Sequence, residues 1–367
     1  MKIQERSPRM MVTRLPVSRG NQARAQVISP TEDCYAFQVE NVDQVGERIA
    51  AEGAFLKDLR REMQSVIVGQ ESLIESLLLA LLADGHVLLE GLPGLAKSLA
   101  VETLARALGG SFRRVQFTPD LLPSDLLGTH VYHPDSGEWS VREGPVFSNF
   151  LLADEINRAP AKVQSALLEA MQERQVSLAG DTRKLPHPFL VLATQNPVEL
   201  EGTYALPEAQ IDRFMLKVVV KHPSREEEAL IMKRMAHSGG PPRPQKVTEL
   251  DQILNARKLL DEVLLSEAAS QYVLDLVFAT REPEAAGLAS MAPLILYGAS
   301  PRATLSMAQA SKAQAFLQGR AFVTPEDIKA VAPSVMRHRL VTTYEAEAEG
   351  VSVEDLVTTI LETVPVP

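Results

Sequence analysis

The chain has 367 residues, a length that allows about two domains, each with its own core. Its formal net charge of −10 argues against a general affinity for nucleic acid or for an anionic membrane. Cys34 is the only cysteine, so no disulfide can form within the chain, a cysteine-ligated zinc site is disfavoured, and a cytoplasmic location is expected.

The N-terminal segment is basic. Six lysine and arginine side chains between Lys2 and Arg24 face the single acid Glu5, and no apolar core of a secretory signal accompanies them. We interpret residues 1–41 as a mobile basic extension. A docking tail and a stretch added by a mis-set start codon are the alternatives.

The most apolar stretch, residues 72–91, does not predict a membrane span. Glu75, Asp84 and Gly85 interrupt it before it reaches the ~20 uninterrupted apolar residues that a span needs. Its spacing instead predicts an apolar-faced helix that ends at Gly85, followed by a short buried strand, HVLLEG.

Further along, short apolar strands alternate with helices. Nearly all-apolar strands between helices indicate a parallel sheet that is covered on both faces. We therefore predict a three-layer αβα domain, an α/β fold, over residues 42–222. The further strand patterns lie at 112–117, 149–155 and 188–196, and the helical patterns at 42–64, 97–110 and 161–173.

After residue 222 the apolar strands give way to amphipathic helices. Residues 223–367 are expected to form a smaller all-helical domain, with a connecting segment near 237–247 marked by SGGPPRPQ. Thr324 caps one of these helices, with a proline and a glutamate in its first turn. We predict helices at 225–236, 251–265, 268–282, 302–319, 324–340 and 352–364.

The segment GLPGLAKS, residues 91–98, lies between a predicted strand and a predicted helix. This is the setting of phosphate-binding loops, in which backbone N–H groups and the positive end of the helix surround the phosphates. We expect Lys97 to reach the outer phosphates and the Ser98 hydroxyl to ligate Mg²⁺. Ala96 replaces the glycine of the general pattern GxxxxGK, and its methyl is tolerable if the residue has helical φ and ψ. The nucleotide-binding loop would consist of Gly91, Leu92, Pro93, Gly94, Leu95, Ala96, Lys97, Ser98 and Leu99.

Two further strands end in polar side chains. Asp154 and Glu155 end the strand of NFLLADE, and Asn196 ends the strand of PFLVLATQN. Asp154 would hold magnesium through water and Glu155 would take a proton from the attacking water, whereas the alternative is a strand that ends in two solvated acids. Asn196 would orient that water or sense the outermost phosphate, whereas the alternative is an asparagine that ends a strand before a proline. Three strands that end in chemically suited groups favour the functional interpretation.

In chain order, IVGQ, GLPGLAKS, LLADEINRAP, ATQNP, GTYALPEAQIDRF and GASPRA resemble the MoxR branch of the AAA+ ATPases, from about residue 42 to the end. Ala96 before the lysine is itself usual in loops of that branch. The resemblance implies an AAA+ domain followed by a helical lid, ATP or ADP as the bound nucleotide, Mg²⁺, and assembly into a homo-oligomeric ring that is hexameric by analogy.

The resemblance also assigns roles to residues whose own context is uninformative. Arg213 resembles the arginine finger that reaches the ATP of the neighbouring subunit; the alternative is an arginine paired with Asp212 at a helix end. Arg302 resembles the sensor that links the lid position to the γ-phosphate, although alone it would be an ordinary surface arginine. Arg158 would lie at a subunit boundary or simply on the surface. The residues implied on the adenine side are Val68, Gly69 and Gln70.

Two hairpins are predicted within the first domain, in insertions near 118–147 and 173–187. One surrounds the PDSG turn of VYHPDSGEWSV, and the other surrounds GD in QVSLAGDTRKLP. The resemblance directs both at the pore or face of the ring. Tyr132 and Trp139 are candidate contacts for a partner, and the alternative is that they pack across the strands.

The function that the resemblance implies is Mg-dependent ATP hydrolysis by a chaperone-like remodelling or maturation factor. Its partners would be a client protein and a protein with a von Willebrand factor A domain. A magnesium-chelatase-type motor subunit shares these motifs and is one alternative. A phosphotransferase would use the same loop without needing Glu155, an arginine in trans or Arg302. A nucleotide-gated scaffold without turnover is opposed by Glu155, Asn196 and Arg213, because each serves the chemical step.

Overall fold

The computed structural model describes residues 32–178, 180–196, 203–236 and 242–367. A compact unit runs from Glu40 to Pro367 and contains all the sites below, and residues 32–39 lie outside this unit. Residues 1–31 of the predicted basic extension and residues 237–241 of the predicted connecting segment lie outside the described residues, so both remain predictions.

A sheet of five parallel strands forms the centre of the first domain. Its strand order is β2, β5, β8, β1, β9, and its register sets Leu89 beside Thr194 and Leu152 beside Leu192. The strands, in chain order, are β1 Val87–Glu90, β2 Phe112–Gln116, β3 Gly128–His133, β4 Glu138–Glu143, β5 Phe150–Asp154, β6 Gln175–Leu178, β7 Asp181–Lys184, β8 Leu190–Gln195, β9 Leu216–Val219, β10 Ile295–Tyr297 and β11 Val341–Thr342.

Helices cover this sheet and build the second domain. Among the helices of the described residues, none combines the length and the apolar character that a bilayer crossing requires. The helices are α1 Glu32–Glu52, α2 Ala54–Val66, α3 Glu71–Leu82, α4 Lys97–Ala107, α5 Pro123–Leu127, α6 Ala161–Glu173, α7 Glu208–Ile211, α8 Arg225–Met235, α9 Leu250–Asp261, α10 Glu267–Ala279, α11 Pro301–Leu317, α12 Pro325–Met336, α13 Tyr344–Glu349 and α14 Val353–Thr363.

Alternate residues of the strands pack into two apolar layers. Phe150 and Leu152 of β5 belong to the cluster that includes α3 and α4, whereas Leu151 and Ala153 belong to the cluster that includes α6. Successive strand residues point to opposite faces, so a strand buried on both faces reads as a continuous apolar run. The predicted α/β fold, with a parallel sheet between helices and a helical lid after it, is confirmed.

The lid shares its core with one face of the sheet. Ile253, Tyr272, Met307, Ile328 and Leu356 come from α9, α10, α11, α12 and α14, and they belong to the same apolar cluster as β1 and β9. Helix α3 connects the two parts because it packs against the sheet and against α9 and α11. Length alone suggested a separate core for each domain, whereas the lid and one of the two apolar layers of the sheet form a single continuous cluster.

The predicted helix over 42–64 is two helices. The first begins at Glu32 and ends at Glu52, and the second begins after Gly53. A Cβ at position 53 would lie 2.6 Å from the Ile49 carbonyl oxygen and 3.1 Å from Cε1 of Phe316. Glycine therefore lets Phe316 of the lid approach the backbone where the helix breaks.

Three strands were not anticipated from the sequence. β9 is an edge strand of the main sheet, and it pairs with β1 alone. β10 and β11 form a short antiparallel pair within the otherwise helical lid. All three have at most four residues, which is too few for a periodic pattern to stand out.

Antiparallel hairpins lie in both segments where hairpins were predicted. Tyr132 of β3 is the cross-strand partner of Trp139 of β4, and their ring centroids are 5.1 Å apart. The two rings pack on each other and still remain 47% and 65% exposed, respectively. Arg183 of the β6–β7 hairpin pairs with Glu143 of the β3–β4 hairpin, with 3.3 Å between Nη1 and Oε1, so the hairpins lie side by side.

His86 is a buried neutral link at the amino end of β1. Its Nδ1 accepts the Val191 N–H at 3.0 Å, and its Nε2 donates to the Met171 carbonyl at 3.2 Å. Burial lowers the pKa of His86 well below its usual value, and the charge of Arg174 adds to this effect. The ring therefore ties β1, β8 and α6 together only in its neutral form.

We predict that acid destabilises the fold through His86. The unfolded state binds the proton more readily, so the free energy of unfolding falls as the pH drops below about 6.5, by up to about 1.4 kcal/mol per pH unit. Urea unfolding of wild type and His86→Gln between pH 5 and pH 8 should show a smaller slope in the variant. His133→Gln, at an exposed hairpin position, is the control. Equal slopes in all three proteins would contradict the prediction.

Candidate active site

The loop between β1 and α4 forms the floor of a cavity of about 380 Å³ at the carboxyl edge of the sheet. Parallel strands bring their carboxyl ends to the same edge, which is where α/β proteins bind ligands. The lining residues come from the loop and from the ends of β2, β5 and β8: Gly91, Pro93, Gly94, Leu95, Ala96, Lys97, Ser98, Leu99, Arg114, Gln116, Asp154, Glu155, Thr194 and Asn196.

Ala96 has a left-handed backbone conformation. Its φ is 58° and its ψ is 15°, so the condition under which its methyl would be tolerated without strain, helical φ and ψ, is not met. A non-glycine residue in this region costs roughly 1–2 kcal/mol, which explains why the general loop pattern has glycine there. Alanine has the smallest side chain that contains a Cβ, so the loop accommodates its methyl group at the cost of local strain. Strain of this kind is typical of functional loops.

Lys97, the first residue of α4, is buried beneath the loop. Its Nζ donates to the carbonyls of Gly91 at 2.5 Å and Leu92 at 3.1 Å. Burial lowers the pKa of Lys97, and the negative charges of Asp154 and Glu155 oppose that effect. The ammonium group is therefore held by two loop carbonyls in the cavity that Asp154 and Glu155 also line.

Asp154, the last residue of β5, is held from two sides. Its Oδ1 accepts the Thr194 hydroxyl at 2.6 Å, and its Oδ2 accepts Nε of Arg114 at 3.1 Å and Nη2 of Arg114 at 2.5 Å. Arg114 lies on the neighbouring strand β2, whose last residue, Gln116, is the register partner of Asp154. The pairing of β2 with β5 therefore fixes the direction of this carboxylate.

Glu155 follows in a left-handed conformation, with a φ of 56°. Its backbone N–H donates to the Thr194 hydroxyl at 2.8 Å. Its Oε2 accepts Nε2 of Gln116 at 2.7 Å and Nη1 of Arg158 at 3.0 Å. Arg158 thus contacts the acid within the same chain, and its predicted place at a subunit boundary stays a prediction.

Arg114, Gln116 and Thr194 line the cavity but were not predicted from the sequence. Arg114 and Gln116 are two residues apart on β2, so they point to the same side of the sheet, and both reach the acids of β5. The sequence feature that could have revealed Arg114 and Gln116 is the strand pattern FRRVQ, in which these two polar residues occupy alternate positions. Which strand it joins depends on a pairing distant in the sequence, and the local pattern does not reveal that pairing.

A second hollow, of about 650 Å³, continues from the loop toward α8. It shares Pro93, Gly94, Leu95, Ala96 and Leu99 with the first cavity. Val68 and Gln70, the residues expected on the adenine side, line it together with apolar side chains of α8, and their contact with adenine stays a prediction. Gly69 has a φ of 66°, and a Cβ there would lie 2.2 Å from Oε1 of Glu227. It permits this close approach and is not among the lining residues.

Arg213 and Arg302 lie together in a different cavity, of about 310 Å³. This cavity shares no lining residue with the loop cavity and includes Ala83 to His86, which precede β1. Nε of Arg213 is buried and has no hydrogen-bond partner among the described residues. Nη1 of Arg302 lies 3.7 Å from Oδ2 of Asp212. The predicted site residues thus fall into two groups, at opposite ends of β1.

The donor set of the loop cavity suits magnesium bound together with a nucleotide. One hydroxyl, of Ser98, and one carboxylate, of Asp154, match the way Mg²⁺ takes one or two protein oxygens and completes its shell with phosphate oxygens and water. Groups of three or more His, Cys, Asp or Glu side chains that could hold a metal ion unaided are absent from the described residues.

We predict that position 96 tolerates glycine but not a β-branched residue. Ala96→Gly relieves the left-handed strain and loosens the unfolded chain, so the free energy of unfolding should change by less than about 1 kcal/mol. Ala96→Val places a branched Cβ at positive φ and should destabilise the loop and weaken ADP binding. Urea unfolding and calorimetric titration with ADP measure both effects. Equal behaviour of the two variants would contradict the assigned backbone conformation.

Comparison with known proteins gives the family. Residues 86–216 match the model for the ATPase family associated with various cellular activities (AAA), and residues 289–360 match the AAA lid domain. The chain is 50% identical to Chaperone MoxR1 of Mycobacterium tuberculosis over 321 residues, covering 88% of this chain and 85% of that protein. It is 35% identical to Protein MoxR of Methylorubrum extorquens, covering 84% and 94%. A crystal structure of a Cytophaga hutchinsonii protein, 47% identical, superposes with a TM-score of 0.83 over 90% of this chain and 99% of that one. The chain therefore belongs to the MoxR family of AAA+ ATPases.

Proposed function

We propose that this protein hydrolyses ATP with Mg²⁺ in a homo-oligomeric ring, hexameric by family analogy, and uses the energy to remodel a client protein. The observation that supports hydrolysis most directly is that Lys97, Ser98, Asp154, Glu155 and Asn196 line one cavity. They come from the ends of two strands, β5 and β8, and from the start of helix α4. Together they supply a phosphate cation, two magnesium ligands, a proton acceptor and an amide.

Each group has a distinct task. Lys97 and the N–H groups of the loop would bind the β- and γ-phosphates. Ser98 and Asp154 would hold Mg²⁺, which neutralises charge on the phosphoryl oxygens when it is bound. Asn196 would orient the attacking water against the γ-phosphate.

Glu155 would accept the proton of that water. Its Oε2 is already engaged by Gln116 and Arg158. These two contacts fix the direction of the carboxylate and leave Oε1 as the oxygen with which it would accept the proton. A carboxylate directed in advance avoids reorganisation in the transition state.

Arg213 and Arg302 would act on the nucleotide of a neighbouring subunit. They lie at the amino end of β1, and the loop lies at its carboxyl end. β1 has four residues, so its first and last Cα atoms are separated by ~10 Å at the rise of a strand. That distance separates both arginines from the loop of their own subunit. A head-to-tail ring interface would bring them to the next loop, as a finger and a sensor supplied in trans.

The client would be engaged by the paired hairpins. Tyr132 and Trp139 expose large aromatic surfaces on the β3–β4 hairpin, and the ion pair of Arg183 with Glu143 ties that hairpin to its neighbour. A protein with a von Willebrand factor A domain is the partner that kinship suggests. A cytoplasmic location fits this role.

Glu155→Gln is expected to bind ATP and turn it over at least about 100-fold more slowly, because general-base catalysis is typically worth 10²–10⁴ in rate. Glutamine keeps the size of the side chain but cannot take the proton. Steady-state phosphate release measures the turnover, and calorimetric titration with ATP measures the binding. Glu173→Gln, at the exposed end of α6, is the matched control. Undiminished turnover in Glu155→Gln would remove Glu155 as the base.

Mixing inactive subunits tests supply in trans. Lys97→Ala and Arg213→Ala should each be inactive alone, since a missing finger can cost about 10³-fold or more. In a randomly mixed ring about a quarter of the interfaces pair an intact loop with an intact arginine, so activity should return. Mixing Arg106→Ala, at an exposed ion pair of α4, with Lys97→Ala measures simple dilution. Failure of the first mixture to exceed the activities of its two components would reject the trans assignment.

A further inference from the structure

Asp212 lines the cavity of about 310 Å³ that also holds Arg213 and Arg302, and both of its carboxylate oxygens accept hydrogen bonds. Its Oδ1 accepts Nε of Arg339 at 2.7 Å, and its Oδ2 accepts the hydroxyl of Ser300 at 2.8 Å. Arg302 approaches the same Oδ2, with 3.7 Å between the atoms. Ser300 caps α11 by accepting the N–H of Arg302. One carboxylate therefore orients the start of the helix that carries Arg302.

Arg339 is the most deeply buried cation of this cavity, with 1% of its side chain exposed. It follows α12, and each nitrogen of its guanidinium group has at least one acceptor. A buried charge is stable only when it is paired and hydrogen-bonded in this way. Besides Asp212 Oδ1, the acceptors are the carbonyls of Asp212, Phe214, Met215 and Val335 and the hydroxyl of Ser306.

Three of these carbonyls flank Arg213. Nη2 of Arg339 donates to the carbonyl oxygens of Asp212 at 3.2 Å and Phe214 at 2.7 Å, which precede and follow Arg213 in the chain. Nη1 of Arg339 donates to the carbonyl oxygen of Met215 at 3.1 Å. Nε of Arg213 has no hydrogen-bond partner among the described residues. The direction of the Arg213 side chain therefore depends on its backbone, and hydrogen bonds from Arg339 hold that backbone on both sides of Arg213.

Charge balance makes Asp212 indispensable to the arrangement. The cavity gathers the guanidinium groups of Arg174, Arg213, Arg302 and Arg339, and Asp212 contacts two of them. Asp84 pairs with Arg174 on the other side, with 3.2 Å between Oδ1 and Nη2. Without the Asp212 carboxylate, the charge of Arg302 would repel the almost fully buried charge of Arg339, and Arg339 would lose its acidic partner.

We propose that the Asp212–Arg339 ion pair is a positioning device that holds Arg213 and Arg302 as one unit for the nucleotide of the neighbouring subunit. The inference rests on the proposed function, since it concerns the arginines supplied in trans. Neither Asp212 nor Arg339 needs to touch that nucleotide. Their role is to join the turn after α7, the start of α11 and the end of α12, so the finger and the sensor approach together.

Two variants test the pair while keeping the size of the side chain. Asp212→Asn removes the charge, and Arg339→Lys keeps the charge but loses the fork of donors, which a lysine cannot reproduce. Each should bind ADP as wild type does, because the loop cavity is unchanged. Each should lower kcat for ATP by about 100-fold, the effect expected of a misplaced catalytic group, with KM unchanged.

The decisive readout is rescue. Subunits with Asp212→Asn or Arg339→Lys keep an intact loop, so Lys97→Ala subunits should restore their activity by supplying well-placed arginines. A damaged fold would not be restored in this way. The matched controls are Asp327→Asn and Arg320→Lys, which alter another lid ion pair, with Nη2–Oδ1 and Nη1–Oδ2 distances of 2.5 and 2.7 Å, outside both cavities. They should keep the wild-type kcat.

The remaining outcomes distinguish failure of the positioning role of the Asp212–Arg339 pair from failure of the proposed ATP hydrolysis with arginines supplied in trans. Wild-type kcat in both Asp212 and Arg339 variants would overturn it. So would loss of ADP binding in both, because the pair would then only maintain the fold. Absence of rescue would overturn it where the Lys97→Ala and Arg213→Ala mixture is active. An inactive Lys97→Ala and Arg213→Ala mixture, or a wild type without ATPase activity, would instead reject the proposed function.

Discussion

The parallel register of β1, β5 and β8 is the constraint on which the site depends. These strands are buried on both faces, so a slip of one residue would turn apolar side chains toward the wrong layer. Leu88 pairs with Ala193, and Ala193 pairs with Ala153, which locks the three strands in one alignment. Each strand stops being apolar at the same edge. The loop, the two acids and Asn196 lie together there because the apolar clusters on both faces of the sheet exclude polar side chains from the rest of these strands.

Within that edge, one hydroxyl connects the parts. Thr194 donates to the carboxylate of Asp154 and accepts the N–H of Glu155, so a single side chain on β8 orients the proposed magnesium ligand and the proposed base. Glu155 and Ala96 both have positive φ, which is costly for residues with a Cβ. The rigid sheet on both sides supports these strained turns. Strain is concentrated where groups must face the same small volume.

Local motifs made most of the loop cavity predictable, and distant pairings made the rest unpredictable. Lys97 and Ser98 could be found because the loop motif lies between a strand and a helix, and Asp154 and Glu155 because they lie at the end of an apolar strand. Arg114 and Gln116 could not, since their role arises only when β2 pairs with β5, about 40 residues away. The left-handed conformation of Ala96 escaped for another reason: alanine gives no local signal for positive φ. Asp212 was considered only as a partner of Arg213, whereas the fold joins it to Arg339, 127 residues later.

Strand β9 joins the turn that carries Arg213 to the segment that lines the adenine-side hollow. It begins directly after the turn that carries Arg213 and ends just before His222 and Pro223, which line the hollow on the adenine side. Its four residues pair with β1 throughout, so its position is fixed by the centre of the sheet. The ion pair of Asp212 with Arg339 continues this connection into the lid. The adenine-side hollow, the turn that carries Arg213 and the end of α12 are therefore joined by one continuous path of packed and hydrogen-bonded elements.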